Sequence, residues 1–181
     1  MEYAHEIELS ERELVCIGTI VALWDSLEYE IFCQTLMCFG HLADPQLPRP
    51  LNNLQFSGVL DLWKIHVVNK AIGTRKQVLL EQLKGIRHYQ KFRDALVHGM
   101  WDWSRSEPEK ITATRVRKKE VIVSHFTTDD LDSFVSALET INFKVRFPGG
   151  QEEYANAMSE RGAYISRRAA CLLSGKPTNG E

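Results

Sequence analysis

Lys91-Phe92-Arg93-Asp94-Ala95-Leu96-Val97-His98-Gly99-Met100-Trp101-Asp102-Trp103 closes a long helical pattern and opens a loop. Backwards from Val97 at helical spacing, Leu79, Leu83, Ile86, Gln90, Arg93 and Val97 make a mostly apolar row that contains a guanidinium. Tyr89, Phe92 and Leu96 flank that row. An unpaired charge on packed surface costs several kcal/mol, so Arg93 requires a partner there.

His98 follows five residues later, which on an ideal helix is about 140° away from Arg93. Gly99 alters this. A glycine at a helix end is expected as a left-handed C-cap, so the chain can turn after Val97 or His98 and carry the imidazole back towards the arginine. The carbonyl end of a helix favours cations, and imidazole is the side chain suited to proton transfer near neutral pH. Arg93, Asp94 and His98 then share one small volume at the helix end.

Arg93-Asp94-x-x-x-His98, continued by Gly99-Met100-Trp101, resembles the signature of the HEPN superfamily, most closely in its uncharacterised bacterial branches. The resemblance implies an all-α domain and a two-fold homodimer. In many members it also implies a metal-independent endoribonuclease whose site forms where two copies of the motif meet. Other members bind nucleotides, nucleic acid or partner proteins without catalysis, and that is the alternative function here. By association the resemblance also suggests a toxin or defence effector, with an antitoxin or regulatory protein as a further partner.

The chain has 181 residues, 44% of them hydrophobic, enough for one core without disulfides or metal. A formal charge of −2 argues against non-specific coating of nucleic acid and leaves room for a local basic site. Cys16, Cys33, Cys38 and Cys171 lack the paired spacing of zinc sites and read as buried thiols of a reducing compartment. No metal or other cofactor is expected. The acidic start Met1–Glu6 carries no secretory pattern, and no apolar run is long enough to span a bilayer, so a cytoplasmic protein without a membrane partner is expected.

In chain order, Leu14, Ile17, Val21, Trp24, Leu27, Ile31 and Thr35 predict a first helix over 11–39, with Ser10 as N-cap. Glu11, Glu13, Asp25, Glu28 and Glu30 read as its solvated face, with Glu28 as an alternative partner for Arg93. Gly40 and three prolines from Pro45 to Pro50 predict a loop. A second helix is expected from Phe56 to about Ile72, with Asn53 or Ser57 near its start and His66 as a core or boundary residue. Thr74 is expected to cap the third. Along that helix Lys84, Arg87 and Lys91 form a basic stripe leading to the motif, either solvated surface or a contact for a phosphate backbone.

Trp101 and Trp103 in the loop either stack on bases or seal the end of the bundle. Ile111–Arg117 and Val121–Phe126 are rich in β-branched residues and predict a two-stranded hairpin over about 110–126. Arg115, Arg117, Lys118 and Lys119 make it the most basic local patch, either an edge protected by charge or an arm for RNA or a partner. Thr127 or Thr128 caps a fourth helix with Asp129, Asp130 and Asp132 in its first turn and Leu131, Val135, Leu138 and Ile141 as its stripe. A last helix runs through Tyr154, Met158, Ile165, Ala169 and Leu172 to Gly175. The whole reads as one HEPN-like domain over 1–175, an up-and-down bundle of about five helices with the hairpin after the third, and a disordered tail over 176–181.

The candidate RNA-binding residues are Lys84, Arg87, Lys91, Trp101, Arg115 and Arg117. In the implied reaction an RNA 2′-hydroxyl attacks the neighbouring phosphate. His98 suits the proton transfer, Arg93 suits the charge on the crowded phosphorane, and Asp94 would orient one or the other.

Overall fold

A computed structural model describes residues 9–40, 48–117 and 119–161, the side chains of Arg117, Glu160 and Arg161 excepted. The described residues are mostly helical, with five α-helices and a small antiparallel sheet among them: α1 (Glu11–Met37), α2 (Phe56–Trp63), α3 (Gly73–His98), β1 (Met100–Ser104), β2 (Glu107–Arg117), β3 (Glu120–Phe126), α4 (Thr128–Arg146) and α5 (Gln151–Arg161). It divides into two units, 1–148 and 149–181, and the first holds helices α1 to α4 and the sheet. The expected continuation of the last helix through Ile165 to Leu172, Cys171 and the tail lie outside the described residues. No described helix is long and apolar enough to cross a membrane.

Helix α1 begins as expected. Ser10 accepts from the Glu13 N–H, and the Glu13 carboxylate accepts from the Ser10 N–H, closing a capping box. This places Glu13 at 8% exposure, so it is a capping group and not part of a solvated face. The buried stripe is Cys16, Ile20, Trp24, Leu27, Ile31 and Thr35, whereas Leu14 is 56% exposed. The expected stripe is thus out of phase in the first turns, where several apolar residues fall close together. Glu30 is also partnered, accepting from Arg146 of α4 at 3.0 Å.

Helix α2 is shorter than its pattern. After Trp63 the backbone widens into one π-helical turn, Lys64–Val68, closed by the Asn69 N–H on the Lys64 carbonyl at 2.9 Å. Gln34 of α1 accepts from the buried Trp63 indole at 2.9 Å and donates to the Val145 carbonyl of α4 at 3.1 Å, tying three elements together. The N-cap of α2 is Gln55, without a side-chain bond, and Asn53 serves as a left-handed residue (φ 58°) in the turn before it. Neither does Thr74 cap α3, whose N-cap is Ile72. His66, half-buried, sets its ring 5.0 Å from that of Phe39.

Helix α3 buries Leu79, Gln82, Leu83, Ile86, Ala95 and Leu96. Tyr89 stacks on Phe134 of α4 at 4.8 Å and Phe92 meets Phe126 of β3 edge-on at 6.2 Å. Val97, expected on the packed row, is 39% exposed, because the sheet takes over burial at this end through Ala95 and Leu96.

The expected hairpin is a three-stranded sheet in the order β1-β2-β3, since Met100–Ser104 is itself a strand. Trp101 pairs with Ala113, Trp103 with Ile111, and Ile111 with Phe126. Directly opposed residues share a face, and the face holding Ile111, Ala113 and Phe126 is the buried one. Helix α4 opens on a second capping box between Thr127 and Asp130 and buries Leu131, Phe134, Leu138, Ile141 and Val145.

Candidate functional site

Arg93 and Asp94 occupy the last turns of α3, and both are largely buried, at 18% and 20% side-chain exposure. Their Nη1 and Oδ1 atoms stand 3.4 Å apart. The second oxygen of Asp94 receives Nη1 of Arg115 at 2.9 Å. Arg115 reaches it because strand alternation puts residue 115 on the face of Ile111 and Ala113, the face that packs on α3. Its side chain is 22% exposed, so it belongs to the helix–sheet junction and not to an outer basic patch.

Arg93 also lies over the Trp24 ring, its guanidinium carbon 5.9 Å from the centroid. The indole of Trp24 donates to Glu28 at 2.6 Å. Glu28 thus stands near Arg93 through the tryptophan, while the carboxylate bonded to Arg93 is Asp94. The Arg93 Nε–H is buried with no hydrogen-bond partner among the described residues. Such an orphaned donor is costly, and cavities that bind ligands are one place where the cost is retained.

The helix ends at His98, and the expected left-handed cap does not form. Gly99 is extended (φ −83°, ψ 156°), its N–H closing on the Ala95 carbonyl at 2.8 Å. Glycine is required here for room: a Cβ would stand 2.4 Å from the Ala95 oxygen and 3.2 Å from the Ala113 Cβ. The chain therefore passes from helix to strand across one residue. Exposed His98 opens onto the same cavity as Arg93 without a hydrogen bond to it.

That cavity has a volume of about 600 Å³, with Arg87, Lys91, Arg93, Asp94, His98 and Arg115 in its wall. Glu28, Gln55, Phe56, Ser57 and Gln90 complete it. Four fixed cations face two carboxylates, a local positive excess in a chain of net charge −2. Arg87 is additionally paired with Asp61 at 2.7 Å, and the Lys91 ammonium lies 4.9 Å from the Phe92 centroid.

Of the sequence-derived binding residues, Arg87, Lys91 and Arg115 thus join the motif in one cavity. Lys84, two turns before the motif, is exposed outside its wall, and the Arg117 side chain lies outside the described residues. Trp101 is strand and not loop. It is half-buried against the core, with Trp103 46% exposed beside it. Sequence reasoning missed Gln55, Phe56, Ser57 and Gln90. The N-cap and first residues of α2 bring the first three to the motif, a contact between distant segments that no local pattern encodes. Among the described residues, no cluster of three or more His, Cys, Asp or Glu side chains could hold a metal ion.

No protein-family model, curated protein or solved structure matches the chain.

Proposed function

We propose that the cavity at the end of α3 binds the phosphodiester backbone of RNA and cleaves it, the protein acting as a HEPN-like, metal-independent endoribonuclease. The observation that carries this reading is the shared cavity: Arg93, Asp94 and His98 line one concave site together with Arg87, Lys91 and Arg115. Its size suits a nucleotide, and planar guanidinium groups match phosphate oxygens two at a time.

In the proposed reaction His98 takes the proton of the ribose 2′-hydroxyl, whose oxygen attacks the adjacent phosphorus. Arg93 and Arg115 face the charge gathering on the phosphorane oxygens. The bond from phosphorus to the 5′-oxygen breaks, that oxygen is protonated, and a 2′,3′-cyclic phosphate and a 5′-hydroxyl remain. One imidazole serves poorly as both base and acid, so the proposal includes a two-fold dimer of up-and-down bundles in which a second copy of His98 supplies the leaving-group proton.

The test is incubation of purified protein with single-stranded RNA in the presence of a chelator, beside His98→Ala and Arg93→Ala. The expected result is a cyclic-phosphate product from the wild type and loss of roughly 10² or more in rate in either variant with helical content intact. Equal cleavage by all three, or none by the wild type, removes the nuclease reading. One observation favours a non-catalytic phosphate binder: Asp94 is committed to Arg93 and Arg115, and His98 has no hydrogen-bond partner among the described residues to fix its ring. RNA binding without cleavage, weakened in Arg115→Ala, would identify that case.

A further inference from the structure

A second cavity, of about 350 Å³, adjoins the first and shares Glu28 and Phe56 with it. Its character is different. Tyr29, Phe32, Leu54 and Val59 give it an aromatic and aliphatic wall, and its charged groups are the carboxylates Asp25 and Glu28. One side of the Glu28–Phe56 partition is therefore cationic, and the other is apolar and anionic. A phosphate is attracted to the first and repelled from the second, whereas a nucleobase suits the second.

Glu28 lines both cavities. It is half-buried, and its Oε1 accepts from the Trp24 indole at 2.6 Å, which anchors one carboxylate oxygen. An ionised carboxylate only accepts hydrogen bonds, at about four lone-pair positions, so capacity remains on both oxygens. Guanine alone among the four RNA bases presents two adjacent donors, N1–H and the N2 amino group, spaced for the two oxygens of one carboxylate. Adenine and cytosine show an acceptor beside their single amino donor, and uracil shows one donor between two acceptors.

We infer that this second cavity is a guanine subsite, in which Phe56 carries the base by stacking and Glu28 reads its donor edge while the attached phosphate lies among Arg93, Arg115 and Lys91. The inference rests on the RNA-binding reading of the first cavity. It adds a substrate preference that the motif residues alone do not set.

Binding of guanosine, adenosine, cytidine and uridine monophosphates, each as the 3′- and the 5′-phosphate, tests it by calorimetry on wild type and Glu28→Gln. The glutamine keeps an oxygen for the Trp24 indole and turns a donor towards the guanine donors. The expected result is binding of guanosine monophosphate about tenfold or more tighter than the adenosine one, with that ratio abolished in Glu28→Gln. Because the ratio is internal to each protein, a loss of folded fraction does not imitate it. Equal binding of all four nucleotides, no binding of any, or an unchanged ratio in Glu28→Gln overturns the inference. Guanine-selective binding with no RNA cleavage leaves it standing and removes the nuclease reading. Cleavage without base preference does the reverse.

Discussion

Arg115 in β2 and Asp94 in α3 form an ion pair of 2.9 Å across the junction of sheet and helix, and the same carboxylate faces Arg93 at 3.4 Å. One anion thus separates two cations in a setting where each side chain is only about one-fifth exposed. Removing it leaves two guanidinium groups close together and poorly hydrated. Asp94→Ala should lower stability by about 2 kcal/mol, and adding Arg115→Ala should recover part of that loss. Urea unfolding of the two single variants and the double variant gives the coupling. Strict additivity would mean that the pair holds nothing together.

Two glycines should respond in opposite directions to alanine. At Gly99 the new methyl carbon meets the Ala95 carbonyl oxygen at 2.4 Å, and backbone on both sides must shift. Gly99→Ala should cost about 1–3 kcal/mol, the range of overpacked sites. At Gly18, exposed within α1, an added methyl carbon would have nothing within 4 Å. Gly18→Ala should stabilise by roughly 0.5–1 kcal/mol through helix propensity and a less free unfolded chain. Denaturant midpoints decide both.

The start of α4 should be acid-sensitive. The backbone N–H and hydroxyl of Thr127 both bond the Asp130 carboxylate, holding its pKa below the ordinary 3.8. A carboxyl depressed on folding contributes stability that is complete above its unfolded value and lost as pH falls through its folded value. The gap in melting temperature between wild type and Asp130→Asn should therefore be constant at neutral pH and close progressively below about pH 4. A gap that widens with acid would contradict the capping geometry. Thr127→Ala should cost about 1 kcal/mol at neutral pH.

The basic stripe of α3 should divide by position. Arg87 and Lys91 reach the cavity wall, and Lys84 does not. On the proposed RNA-binding reading, Lys91→Ala should weaken binding and flatten its dependence on salt concentration, as the loss of one phosphate contact would, while Lys84→Ala should do neither. Fluorescence titrations at several salt concentrations separate the two. A larger effect at Lys84 would move the binding surface away from the motif.

The helices are legible in the sequence where one period runs unbroken. Trp24, Leu27, Ile31 and Thr35 repeat at three and four residues, and all four are buried. Leu14 misleads because Val15, Cys16 and Ile17 crowd around it and several phases fit equally well. The first strand escapes for another reason. Met100-Trp101-Asp102-Trp103 alternates, but it follows a glycine that reads as a stop, and its partner lies about ten residues further on. Neighbourhood in the chain groups Arg115 with Arg117, Lys118 and Lys119. The period of two separates it from Val116 and places it with Ile111 and Ala113. Its pairing with Asp94 needs the sheet folded back on α3, which is tertiary information. Grouping Arg93, Asp94 and His98 is possible because a single helix end carries them all.

His98 ends α3, Met100 begins β1, and the extended Gly99 between them leaves no slack. The imidazole therefore rides on α3 and the Arg115 guanidinium on the sheet, the two joined through Gly99 and β1 at the bend and by Asp94 across it. Separating sheet from helix at this bend parts Arg115 from Asp94 without breaking a helical hydrogen bond. On the RNA-binding reading proposed above, affinity should fade on warming ahead of the helical circular-dichroism signal.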